Sequence, residues 1–590
     1  MAKTTTVKMK RIEIPYFDGV NSLVGQNISK KQELTHVENA RSVTIGSIEK
    51  RQGKRRLGNE ITSTANYGIF FFENSGNNGF YRVSTVSATT SVYYLSNVGA
   101  WTILGGGGTG LSGAQTDFTF AEGNCFIVNG TDVNRYISSD GVTVVTAATA
   151  TGHLYESPKA NKINFYLNRL YVADYYVGAT RYKTGIQFSS KPVGLVSLVD
   201  GDHTSGVTSV EVTDTKYIYA SDTLQVYRGG TLITSLTVTG KTETTLTVNA
   251  TGADLESSDE LWVNGTYTGQ RVFRWASNAP SGEDVSEYDT FELSGGQNDR
   301  IKMLANIGNI MMIGNSSNLS AWDGASQQNF DLGIGCVSDN GYVKSMGSLW
   351  FLDYTGIYST TGDTPKLISS KVEKYIQGAT KEGLEAAAAG KKGLSIFFAI
   401  GDVTLYNPDG SINKTLEDVV LEYNIRQQNW YVHTGIDASQ FATYIHSSDP
   451  DRLEFQSTTA PMHIYEFLNS EEDAEVEIPF RIDSDNITLA PNFENICYPQ
   501  QIAIETERGS GMQCFVSLDN GPFYQIKGEI IKGCTVLKVN NKDLERASPP
   551  RCRQIKLSIR DFSTKLCKIS RVAILYTSTL EQEEQRINQE

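Results

Sequence analysis

From about residue 60 onward, apolar residues come in runs of 4–8, divided by clusters of Gly, Asn, Asp and Ser. That punctuation predicts short antiparallel strands joined by tight turns. One loose theme recurs: an alternating strand, a turn with Asn or Gly, then a second apolar strand. It is visible in ANYGIFFFENSGNNGFYRVS, FTFAEGNCFIVNGTDVNRYISSDG, KINFYLNRLYVADYY, RIKMLANIGNIMMIGNSSNLSAWDG, YVKSMGSLWFLDYTGIYSTTG and GLSIFFAIGDVTLYNPDG. The theme returns roughly every 40 residues, which is the spacing of four-stranded β-propeller blades. The pattern predicts an all-β fold with propeller blades over 59–195 and 270–470.

The gap between these stretches, 196–269, alternates Thr, Val, Leu and Ser around DG and RGG turns, with few large apolar residues. It reads as a small inserted β-sandwich or barrel that leaves its blade near Lys191-Pro192 and returns near Gly265. Residues 471–580 read as a final β-sandwich region and 581–590 as a polar tail. The best helix signal is 369–390, with a Ser cap, Val372, Tyr375 and Ile376 at helical spacing, and an alanine run ended by Gly390. Residues 1–58 read as an N-terminal docking arm in which KKQELTHVENARSV holds one or two helical turns.

Charge sharpens this division. Net charge is −14 over 590 residues, yet residues 1–58 carry 12 Lys and Arg against 5 Asp and Glu. An acidic body is a poor match for a protein that grips nucleic acid along its length. A basic arm suits docking onto an acidic protein surface, a solvated N-terminus being the plainer alternative. With 39% hydrophobic and 20% charged residues the chain is expected to fold, and 54 Gly against 14 Pro suits many turns. The start, MAKTTTVKMKRIEI, has no apolar run, and no stretch of about 18 apolar residues follows, so neither a signal peptide nor a membrane span is expected. The seven cysteines form no CxxC pair and no zinc spacing with His, which points to reduced, mostly buried thiols and no metal.

Motifs that resemble chemistry lack the context that chemistry needs. GGGGTGLSG at 105–113 contains G-x-G-x-x-G, but a strand follows it rather than a helix, so it reads as an inter-blade loop. Gly240-Lys241-Thr242 lies between strands as a hairpin turn. Asp483, Asp485 and Glu494 have the spacing of a calcium loop, but Ile487 cannot ligate. SLDNGPFY (517–524) resembles a sialidase Asp-box, itself a turn device, and Trp322-Asp323 occurs once without the rest of a WD repeat. The six histidines do not cluster, and no GxSxG or HExxH is present. No catalytic or cofactor-binding residue is assigned, and the chain is expected not to be an enzyme.

The opening IPYFDGVNSLVGQNISKKQELTHVENARSVTIGSIEKRQGKRRLG resembles that of tail nozzle proteins of short-tailed phages, also called tail tubular protein B or phage stabilisation proteins. Asp18-Gly19-Val20-Asn21 stands at the family's GGLN strand. Glu33-Leu34 with Glu38-Asn39 stands at its ELxxxxN phrase, and Gly46 to Gly53 at its GsixkRpG phrase, with Gln52 in place of the usual Pro. The central blades, VVLEYNIRQQNWYVH and the C-terminal strands agree in order, so the likeness covers about two-thirds of the chain. The resemblance implies a structural virion protein, assembled in the host cytoplasm and forming a ring of usually six copies below the portal and adaptor. Genomic DNA would pass through it without specific binding. Arg51, Lys54, Arg55 and Arg56 are the candidate ring-docking contacts. The alternative is a propeller that binds or cleaves surface polysaccharide as part of a receptor-binding component.

Overall fold

The computed structural model describes residues 9–578 apart from 15–18, 22–32, 45–46, 60, 74–78, 97–98, 147–152, 155–156, 268–270, 276–288, 294–298, 331, 408, 445–450, 460–461, 472, 474–475, 490–495, 510, 541, 545–549 and 564. Asp18, Gly46, His446, Glu494 and the tail 581–590 lie outside the described residues. Among the described residues, seven sheets, antiparallel but for one short parallel pair at the edge of the second, follow one another around a ring. Their innermost strands are Ser63–Phe72, Asp117–Ala121, Lys159–Tyr166, Met303–Ile307, Tyr342–Ser345, Ala388–Lys392 and Ala438–Tyr444. Each touches the next, and the last touches the first, so the chain is an all-β propeller of seven blades.

Apolar residues of facing blades fill the space between them. Phe397, Phe441, Phe455 and Phe467 join the sixth and seventh blades, while Ile69, Phe80, Tyr93, Trp101 and Ile464 join the seventh to the first. Burying each such side chain stabilises the ring by about 1.5–3 kcal/mol. The seventh blade supplies only three strands of its own. Its fourth, Gly53–Arg56, comes from the N-terminal segment and pairs antiparallel with Ile464–Ser470, so the two ends of the propeller share one sheet.

That closure corrects the reading of 1–58 as an arm. Leu34–Glu38 pairs with Phe480–Ser484, Ala40–Arg41 with Ile48–Lys50, and Lys10–Ile14 with Lys568–Ser578. The stretch expected to hold helical turns is a strand in which Leu34 and Val37 are fully buried, because its apolar positions meet a sheet hundreds of residues away. The helix expected at 369–390 is also shorter. A 3₁₀ turn at Ser370–Val372 leads to helices Glu373–Gly378 and Lys381–Glu385, and the alanine run enters the innermost strand of the sixth blade. Small residues are required there: a Cβ on Gly390 would stand 2.6 Å from Phe441 Cβ. Packing therefore overrides the helical preference of alanine.

The C-terminal region pairs two six-stranded sheets. Cys497–Arg508, Gly533–Lys538 and Lys568–Ser578 form one with N-terminal strands, and Phe480–Ser484, Gln513–Leu518 and Gln554–Asp561 form the other. Ile482, Ile504, Val516, Leu557 and Ile574 lie in a core shared with Trp430 and Val432 of the sixth blade. A separate six-stranded unit, Leu195–Val263, interrupts the third blade between Phe188 and Thr290. The bridge between Val199 and Val212 joins its two terminal strands, so the sheet closes into a small barrel around Val226, Leu236, Leu246 and Leu261.

Candidate functional site

The densest set of buried charges lies where the N-terminal segment threads between the sixth blade, the seventh blade and the sandwich. Asn39 is its hub, a fully buried residue in a left-handed conformation (φ 54°). Its amide N–H donates to Val432 O at 2.8 Å, and its side-chain Nδ2 donates to Thr434 Oγ1 and Pro479 O at 2.8 Å each. Its Oδ1 accepts from Thr434 N at 2.9 Å and from Arg51 Nε at 2.7 Å. All polar capacity of the side chain is used, and a polar group can be buried at modest cost only when that holds.

The sequence-predicted contacts lie in or beside this joint, Arg51 and Lys54 with their positive charge turned inward and Arg55 and Arg56 at the surface. Arg51 is fully buried; it grips both carboxylate oxygens of Asp473, one at 2.8 Å, and donates to Thr434 O at 3.0 Å. Lys54 donates from its backbone to Asp473 at 3.0 Å and from Nζ to Gly435 O at 2.9 Å. Arg55 pairs with Glu466 at 2.8 Å, its side chain half out in solvent, and exposed Arg56 lies opposite Tyr465 in the closing strand. Of the four, Arg51 is corrected from a docking contact to an interior residue. A guanidinium with no solvent access cannot meet another ring.

Beside this joint, Glu422 accepts from Arg41 at 2.7 Å, from Ser395 Oγ at 2.6 Å, and meets His433 Nε2 at 2.8 Å. Burial pushes the Glu422 carboxyl up, but Arg41 and the two side-chain hydrogen bonds outweigh it and hold it at about 2. Burial in turn lowers His433, against the pull of Glu422. Ser395, His433 and Glu422 have the composition of a hydrolytic triad but the wrong order. The carboxylate lies between serine and histidine, so the imidazole is not hydrogen-bonded to the hydroxyl, and all three are buried. The cluster is built to hold segments together. Glu38 repeats the logic: burial raises its carboxyl, while His36 and Lys414, the latter at 2.6 Å, bring it down to about 2.

A second network lies along the inner strands of the ring. Lys162 of the third blade reaches Asp339 O at 2.9 Å, with Asp117 at 3.9 Å and the Asp339 carboxylate at 3.5 Å, and Arg300 also pairs with Asp339 at 2.8 Å. Residues from the second to the fifth blade are thereby tied across one another near the centre of the ring. Sequence reading missed Asp473, Glu422, Asn39 and Lys162 as joint residues. Asn39 and Glu422 left a signal, their places in the stretches that carry the resemblance.

The motifs discounted as chemistry take structural positions. Gly105-Gly106 pairs in parallel with Thr143-Val144, linking the outer edges of the first two blades, and a Cβ on Gly106 would stand 2.6 Å from Val144 O. Asp519 turns the hairpin after Leu518 and accepts the amides of Arg553 and Gln554 at 2.8 and 2.9 Å. Among the described residues, no group of three or more His, Cys, Asp or Glu could hold a metal ion, and no helix is long and apolar enough to cross a membrane.

No family model matches the chain, and no curated protein matches it. Among solved structures, the computationally designed Ika8 protein is similar with 8% identity and a TM-score of 0.30, over 76% of this chain and 99% of that one. BamB from Moraxella catarrhalis is similar with 10% identity and a TM-score of 0.28, over 71% and 97%. YCF48 from Cyanidioschyzon merolae is similar with 8% identity and a TM-score of 0.29, over 70% and 98%.

Proposed function

We propose that this chain is a structural, non-enzymatic virion component that forms a tail nozzle ring conducting the genome during ejection. The observation that carries the reading is where the resembling residues fall. Gly19, Val20, Asn21, Glu33, Leu34, Glu38, Asn39, Lys50 and Arg51 all build the joint between propeller and sandwich. The Val20 amide donates to Trp430 O at 2.8 Å, and a Cβ on Gly19 would stand 2.3 Å from that same oxygen. Asn21 donates to Glu33 at 2.8 Å, and Lys50 pairs with Asp561 at 3.0 Å. The shared residues thus carry architecture, and the proposed structural role is drawn by analogy with that architecture rather than from a chemical site.

In this reading the host cytoplasm is the place of assembly, and the portal or adaptor ring is the neighbour. The acidic body lets DNA pass because few cations are offered to replace its counterions. Cryo-electron microscopy of the purified full chain tests the proposal. A closed ring of about six copies with an open channel is expected. A monomer or trimer presenting an open groove would overturn it.

A further inference from the structure

Charge on this molecule falls into two poles. Residues 1–58 and 496–578, which supply most of the sandwich, carry 25 Lys and Arg against 12 Asp and Glu, whereas residues 59–495 carry 26 against 50. At the joint most of the basic residues are consumed by internal pairing; elsewhere on the sandwich some are paired and a group of them is not. Lys568 and Arg571 pair with Glu507 and Glu505 at 2.7 Å each. Lys532, Lys538, Lys542, Arg551 and Arg553 are exposed and enter no ion pair with a described residue.

Strand pairing gathers four of these cations at one end of the sandwich. Lys538 lies opposite Gln501, and the next amide, Val539, donates to Gln500 O at 2.8 Å. Cys552 pairs with Cys497 four residues back along that same strand, which places Arg551 and Arg553 there too. Lys542 sits in the turn fixed by Asn540 and Asp543. Strand Gly533–Lys538 is an edge, with a partner on one side only among the described residues. Val536, two residues from Lys538 on the same face, is 51% exposed, and Ile531 just before the strand is 58% exposed. An open edge with apolar side chains set among unpaired cations has the make-up of a protein contact with an acidic surface.

We propose that this basic end of the sandwich docks on the acidic propeller of a second copy of the chain, head to tail. The inference rests on the ring reading above and names its interface. Two sandwich ends would repel, and lysines along an edge strand oppose pairing with the same edge of another copy. A two-fold contact through this surface is therefore disfavoured. Unlike poles attract, and a contact between two different patches repeats from copy to copy until the rotation closes a ring.

The test follows the full chain by sedimentation velocity and mass photometry from about 50 to about 500 mM salt, a range over which screening changes severalfold. Lys538→Glu/Lys542→Glu and Arg551→Glu/Arg553→Glu are run beside it, with circular dichroism to verify folding. The wild type is expected to form a discrete oligomer that weakens as salt rises. Both variants should fall to monomer at concentrations about tenfold higher than the wild type. If the variants keep the wild-type oligomer and its salt response, the interface is wrong while the ring reading stands. A wild type that stays monomeric throughout overturns both. A duplex oligonucleotide is the third probe: binding that the variants abolish, with their oligomer intact, would assign the pole to nucleic acid and overturn the inference.

Discussion

Arg51 and Arg55 are separated by three residues and stand in opposite energetic situations. Arg51 has no solvent access and neutralises Asp473, itself nearly buried; Arg55 pairs with Glu466 while its own side chain is 58% exposed. Removing one partner of a buried pair leaves an uncompensated charge, so Arg51→Ala should lower unfolding stability by about 3–5 kcal/mol. Glu466 is buried as well, but Arg55 itself stands in solvent and Arg452 remains 3.9 Å from the carboxylate, so Arg55→Ala should cost less than Arg51→Ala, about 1 kcal/mol. Urea denaturation of the two variants checks this, and equal losses would contradict the joint as described. His153 gives a pH signature. It stands edge-on to Phe126 and Tyr136, and burial lowers it to about 4. Between its unfolded value of about 6.5 and that folded value the unfolded chain binds the extra proton. Stability tied to this group is therefore full above about pH 6.5 and is lost as pH falls toward about 4, by up to about 3 kcal/mol. Melting temperature measured against pH should show this slope, and His153→Phe should flatten it.

Strand Gly53–Arg56 does at the level of an element what Arg51 does at the level of a residue. Without residues 1–58 the seventh blade would keep three strands, one sandwich sheet would lose three strands and the other would lose one. Unpaired edges and an open core would follow. A chain beginning at residue 59 should therefore be recovered aggregated or with much-reduced sheet signal, whereas a dispensable arm would leave a soluble, cooperatively melting body. Circular dichroism and size-exclusion chromatography distinguish these outcomes. The blades were legible in the sequence because their hairpins are local: Met311 and Trp322, or Phe351 and Tyr358, pair across a few intervening residues. The N-terminal strands were not, because His36 pairs with Asp483 and Lys10 with Tyr576, and no local pattern reports such partners. The joint was half visible for the same reason. Its cations form a run, but Asp473 sits in the acidic stretch EEDAEVE, which reads as solvated surface.

The barrel Leu195–Val263 tests how far the molecule is a sum of its parts. Its aliphatic core is its own, and its strands close on themselves. The chain leaves and re-enters at adjacent points: Val193 and Val272 exchange backbone hydrogen bonds of 2.9 and 3.1 Å. A closed unit on neighbouring stems can be removed at little entropic cost to the host. The two bodies are nonetheless fastened. Arg274 pairs with Asp222 at 2.5 Å with both side chains buried, Tyr219 donates to Trp275 O at 2.5 Å, and Lys216 reaches Asp289 at 2.9 Å. Replacing 195–270 by a short Gly-Ser link should therefore leave the propeller folded but destabilised, chiefly because Arg274 loses the carboxylate that justified its burial. Adding Arg274→Met to the excised chain should recover part of the loss, read as a rise of a few degrees in melting temperature, about 2–4 °C per kcal/mol regained. If excision alone abolishes folding and Arg274→Met restores nothing, the barrel is a working part of the third blade, and its fastening residues are interior to a single core.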